Sequence, residues 1–149
     1  MDKRIVYTRP DGGVSIVVPS DVVGAADIQA LIARVVPSDS TNVRVVDVAE
    51  VPSDRIFRNA WEDDGVEVKP NMVKAAVIHM GRIRAVRNVE IEKLDVPQMT
   101  AISKSDIVRA AAIETQKQKL RDLPKTFILT GAKTPDELKA LWPAELPKG

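Results

Sequence analysis

Few residues in this sequence have side chains suited to covalent or acid–base chemistry. The chain has no cysteine and a single histidine, His79. The missing cysteines exclude a disulfide scaffold, thiolate metal sites and a cysteine nucleophile. One histidine excludes multi-histidine metal sites and leaves Ser/His catalysis a single candidate base, which would need a nucleophile and an orienting acid brought in from elsewhere. His79 stands between Ile78 and Met80 on the apolar stripe of a helical pattern, so it reads as a core or interface histidine. Asp63, Asp64 and Glu67 could offer oxygens to a hard cation. They lack the alternating acids and terminal glutamate of a calcium loop and read as a turn. Asp11-Gly12-Gly13 could imitate a phosphate loop, but it joins two strands and opens no helix. Glu90 and Glu92 are two positions apart, so they point to different helix faces and cannot form an acid/base pair. No enzyme constellation results, and no cofactor or metal is expected.

Charge and apolar anchors are the remaining means of recognition. Residues 1–70 carry eight basic and twelve acidic side chains, and residues 71–149 carry fourteen basic and nine acidic. The stretch 71–89 has no acid and holds Lys74, Arg82, Arg84 and Arg87. At about 100° per residue these arginines spread around more than half a helix, which first suggests a solvated face. As a functional feature the run would match an acidic partner surface or nucleic acid. No aromatic is interleaved with it, so stacking on single-stranded bases is not supported. Near the end, Leu138, Leu141 and Trp142 form a sticky face that is either a docking surface or packing onto the chain's own core.

These residues must be positioned by recognisable elements. Arg4–Thr8 and Val14–Val18 are rich in β-branched residues and flank Arg9-Pro10-Asp11-Gly12-Gly13, which predicts a β-hairpin. A helix is expected over 27–36, with Asp27 as its N-cap, and a strand over 43–49 with Arg44 and Asp47 facing water. Ser53-Asp54 reads as the start of a short helix holding Phe57 and Trp61, the rings that should anchor the first half. A turn at 63–65, a short strand over 66–68 and a boundary at Lys69-Pro70 follow. After Pro70, Ala76, His79, Met80, Ile83, Val86 and Leu94 fall within about 120° of one another, predicting a helix of roughly 25 residues. Pro97 interrupts that pattern or opens a new turn. A second helix is expected over 106–123, ended by Pro124, with a thin stripe of Ala110, Ile113 and Leu120. The two helices would make an αα-hairpin, lying on the β part or projecting from it. Residues 126–130 could be extended. Thr134-Pro135-Asp136-Glu137 has the form of a capping box opening a short terminal helix.

The expected fold is therefore α+β, with a β-rich N-terminal part over 1–69 and a helical arm with a capped terminal helix over 70–149. A chain of 149 residues suits one domain, or a small domain with an arm. Its longest uncharged stretch is the nine residues Gly12–Ser20, far short of the ~20 needed to span a membrane. No signal peptide is visible at Asp2-Lys3-Arg4. With aromatics at only 3% of residues, the core must come from Val, Ile, Leu and Ala, and thin helical parts would gain from a partner surface or a second copy.

Several blocks resemble a family of small proteins encoded by tailed bacteriophages and prophages. These are Arg4-Ile5-Val6-Tyr7-Thr8-Arg9-Pro10-Asp11-Gly12-Gly13-Val14-Ser15, Pro52–Trp61, Ile78-His79 with Arg82-Ile83-Arg84, Lys119–Pro124 and Thr134–Pro143. The hairpin ending in Leu120-Arg121-Asp122-Leu123-Pro124 is also similar to the terminal module of phage tail-fibre assembly chaperones, although Leu94-Asp95-Val96-Pro97 stands where such modules carry a tryptophan. The resemblance implies a phage origin and no cofactor, and supplies no catalytic residue. It implies a non-enzymatic virion accessory or assembly protein, acting in the bacterial host cytoplasm during assembly or in the virion. It would work by protein–protein contacts with other phage structural proteins, including those of the tail or tail fibre. Leu141 and Trp142 would anchor those contacts, and Lys74, Arg82, Arg84 and Arg87 would supply charge matching. The alternative is a small nucleic-acid-binding phage regulator using the basic helix 71–89.

Overall fold

In a computed structural model, which describes residues 2–20 and 24–149, the chain is α+β. Among the described residues five strands, one α-helix and two 3-10 turns come first, and four α-helices follow. It divides into two compact units, Met1–Ala75 and Ala76–Gly149. The division falls inside a helix, a little beyond Pro70, because the first turn of that helix is tied back to the β part. Asn71 N donates to Ala60 O at 2.8 Å, and Asn71 Nδ2 and Lys74 Nζ both donate to the Glu62 carboxylate.

In the first unit the predicted hairpin is formed by β1 (Lys3–Thr8) and β2 (Val14–Val17). The turn closes through Gly12 N donating to Arg9 O at 2.9 Å, with Gly12 at φ +83°, a conformation only glycine takes without strain. With β3 (Thr41–Asp47) the strands form an antiparallel sheet ordered β2-β1-β3. Val6 is paired with Ile16 on one side and Arg44 on the other. Successive side chains alternate faces, so Val6 and Ile5, both fully buried, point to opposite sides of the sheet. On the Val6 face the core is Val6, Val46, Trp61 and Val68, with Val14, Ile16 and Val51 packed around it.

Local expectations fail here where pairing in space overrides them. Helix α1 (Ala25–Val35) is capped by Gly24, not Asp27, which lies in its first turn, where a carboxylate favours the helix dipole. Arg44 is half-buried and paired instead of standing free in water. Its guanidinium forks onto the Asp63 carboxylate at 2.7 and 3.2 Å and donates to Val66 O at 2.8 Å. Asp47 is exposed and pairs with Lys3 at 2.6 Å. The expected helix around Phe57 is only a 3-10 turn, Arg58–Ala60. Asp54 Oδ1 accepts from Ile56 N in a local turn, and Trp61 opens β4 (Trp61–Asp63), paired with β5 (Val68–Pro70). Phe57 and Trp61 are nonetheless the buried rings of this unit, as expected. Pairing of Trp61 with Pro70 also draws Lys69 and Pro70 into the strand and leaves Val66 exposed.

The helical part begins with α2 (Met72–Lys93). The chain bends at Leu94 into α3 (Asp95–Ser103). Pro97 is tolerated because it occupies the first turn of α3, whose amides have no partner within the helix. Asp106 caps α4 (Ile107–Thr126) by accepting from Arg109 N at 3.0 Å. The hairpin is thus α3 against α4, with α3, not the long α2, as its first leg. Pro124 does not end α4, which runs to Thr126. A proline in the last turn deletes one hydrogen bond, and Phe127 N still closes the helix on Leu123 O at 2.8 Å. Residues 127–130 form no strand. Thr134 caps α5 (Pro135–Ala140) through Glu137 N at 3.2 Å. Glu137 reaches back to Lys133 N at 2.7 Å and not to the cap amide, so the expected box is displaced by one residue.

Candidate functional site

The predicted anchors of the terminal helix are largely internal to the second unit. Leu138 is fully buried, which corrects its assignment to a docking face. A leucine at the fourth helical position of α5 must cover core that the short helix itself closes. Leu141 and Trp142 are half-buried. The Leu141 carbonyl accepts from His79 Nε2 at 2.8 Å, and the indole packs edge-on against the imidazole with ring centres 5.7 Å apart. Trp142 Nε1 donates in turn to Pro147 O at 2.9 Å. His79, 4% exposed, is the core histidine expected from the sequence, and its ring holds the C-terminal segment against α2.

The basic run is divided between the two units. Lys74 belongs to the first unit and is bonded to Glu62, whose carboxyl is held below its ordinary range by Lys74 and Asn71. In the second unit Arg84 is exposed while Arg82 and Arg87 are half-buried. The Arg87 guanidinium donates to neighbouring Asn88 Oδ1 at 2.9 and 3.2 Å. The acids at 63–67 behave as a turn. Asp63 is taken by Arg44, and Asp64 accepts from the Val66 and Glu67 amides and Lys69, which lower its carboxyl to about 2. Among the described residues no group of three or more His, Asp or Glu side chains is placed to hold a metal ion, and no helix is long and apolar enough to cross a membrane.

Exposed apolar side chains run along the α3–α4 hairpin, besides others such as Val66, Val73, Val77 and Ile128 elsewhere among the described residues. Val96 and Met99 are 73% and 63% exposed on the outer face of α3. Across the tight turn, where Asp106 N donates to Ala101 O at 2.8 Å, Ile107 and Val108 are 78% and 83% exposed, with Ile102 also open. The inner faces carry the packing: Ala101 from α3, and Ile113, Lys117, Leu120 and Leu123 from α4. A clasp with one buried end joins the two legs. The Lys117 ammonium, 6% exposed, donates to the Asp95 carboxylate and to Gln98 Oε1 at 2.6 Å. Gln98 continues to Glu114, and Glu114 to Arg121, by bonds of 2.8 and 2.7 Å.

Sequence reasoning missed this exposed hairpin surface. Its signal was the placement of Ile107-Val108 directly after the cap Asp106, together with apolar residues at the i and i+3 positions 96 and 99.

No family model, curated protein or solved structure matches this chain. The geometry therefore has to carry the functional reading together with the resemblance of the sequence blocks.

Proposed function

We propose that this protein is a non-enzymatic bacteriophage accessory or assembly protein that binds other phage structural proteins through exposed apolar side chains of its helical hairpin. The observation that carries the contact is the open apolar surface at Val96, Met99, Ile102, Ile107 and Val108. Apolar side chains gathered on one exposed feature mark an interaction surface more often than scattered ones do. Burying a valine or isoleucine of this kind contributes about 1.5–3 kcal/mol, and association itself costs about 4–15 kcal/mol, so most of these five side chains must be covered together. The phage assignment rests on the resemblance of residues 4–15, 52–61 and 134–143. The nucleic-acid reading is weaker, because Lys74 is paired with Glu62 and the arginines of the run spread around the helix.

The test is quantitative mass spectrometry of purified phage particles beside the host lysate, with wild-type chain and a Met99→Glu, Val108→Glu variant. The expected result is that the wild type is recovered at a fixed ratio to capsid or tail proteins, or bound to one of them in the lysate. The variant keeps its fold by circular dichroism and loses that association. Unchanged association of the variant would overturn the contact surface. Binding to nucleic acid that weakens steeply with salt would instead favour the regulator.

A further inference from the structure

We infer that the groove beside β2 in the first unit is a binding site for an extended acidic peptide segment of a partner protein. This site stands independently of the hairpin surface. Two hollows of about 270 and 230 Å³ share Ile16, Arg55 and Trp61 and so form one trough between β2 and the segment running from Val48 to Asn59. One end is the more apolar, walled by Val18, Val48, Val51 and Pro52, with Arg4 and Ser53 also lining it. The other is cationic, with Arg9, Arg55 and Arg58 beside the Asn59 amide.

The charge at that end is largely uncommitted. Arg55 and Arg58 make no side-chain hydrogen bond or ion pair among the described residues. Arg9 is fixed in place by Asp11, Ser15 Oγ and Val14 O, so one of the three positive charges is already matched. Two guanidiniums remain free at the mouth of a single hollow, in a half of the chain whose acids outnumber its bases. Like charges held together favour an anion between them, and a guanidinium fork suits a carboxylate.

The ligand class follows from both ends together. Trp61 is 4% exposed and forms the floor, so no ring face is free to stack a nucleobase. A phosphate ion would fill the cationic end and leave the apolar one empty. An extended chain would satisfy both, since side chains two residues apart lie on the same side at about 6.5–7 Å. β2 is the edge of its sheet, the position at which an added strand recognises its host by backbone as well as side chains. The fitting segment has an apolar residue followed by carboxylates at alternate positions.

The test uses the full chain, 15N-labelled, titrated with the acetylated peptide Val-Thr-Glu-Thr-Glu, its glutamine counterpart, inorganic phosphate and a short oligothymidylate. The expected result is saturable shifts of the amides over 13–18 and 55–61 with the glutamate peptide. The glutamine peptide and an Arg55→Ser, Arg58→Ser variant each bind about tenfold more weakly. The Arg55→Glu, Arg58→Glu variant should prefer Val-Thr-Lys-Thr-Lys, which tests the charge logic in a second background. Equal binding of the glutamate and glutamine peptides, or no saturable shift with either, overturns the inference. So do the same shifts from phosphate alone, or displacement of the peptide by the oligonucleotide.

Discussion

Lys117 lies on the inner stripe of α4 between Ile113 and Leu120, where a lysine costs desolvation unless its ammonium is matched. It is matched by Asp95 and Gln98 in the first turn of α3. Asp95→Ala leaves the buried ammonium with one neutral acceptor. Breaking a buried pair from one side costs about 3–5 kcal/mol. Asp95 is 59% exposed, however, and water can take part of its place, which reduces the expected loss to about 1–2 kcal/mol. Lys117→Met removes the charge and its need for a partner while keeping the side-chain volume, so it should change stability by less than about 1 kcal/mol in either direction. The double variant should then resemble Lys117→Met alone. Urea and thermal unfolding followed by circular dichroism would read this order, a kilocalorie corresponding to about 4–8 °C for a unit of this size. If Lys117→Met costs as much as Asp95→Ala, the clasp is not an isolated charge pair and the reasoning fails.

Three further outcomes follow from the same geometry. Leu138→Ala should destabilise the second unit by about 2–5 kcal/mol, while Val66→Ala at an exposed position should stay within about 0.5 kcal/mol in urea unfolding. His79→Phe keeps a ring against Trp142 but loses the donor to Leu141 O, so it should cost about 1 kcal/mol and speed amide exchange over 141–149. Asp64 is held at about 2, below its ordinary 3.8, chiefly by the Glu67 and Val66 amides and then by Lys69. Its contribution to stability is therefore complete above the unfolded value and is lost as pH falls from about 4 towards 2. Asp64→Asn should flatten acid unfolding in that window, and an NMR titration of the Asp64 carboxyl with a midpoint near 4 would contradict this.

What the sequence by itself determined is what neighbours along the chain decide. Gly12 and Pro10 between β-branched runs specify the turn of the first hairpin, because turn geometry and β-propensity are local. The cap at Thr134 was legible for the same reason, since a side-chain oxygen reaches amides two or three residues away. So were the burial of Phe57 and Trp61, the core position of His79 and the α+β order. Tertiary structure alone decided the rest. Arg44 paired with Asp63, and Trp61 joined a strand, because their partners lie far along the chain. Apolar periodicity could not tell buried Leu138 from exposed Val108, since the same residue type serves as core or as open surface according to what packs over it. The arginine groove was hidden most completely. Residues 9, 55 and 58 lie in the acidic half of the chain, and only the fold of β2 against the following segment turns them into a local excess of positive charge.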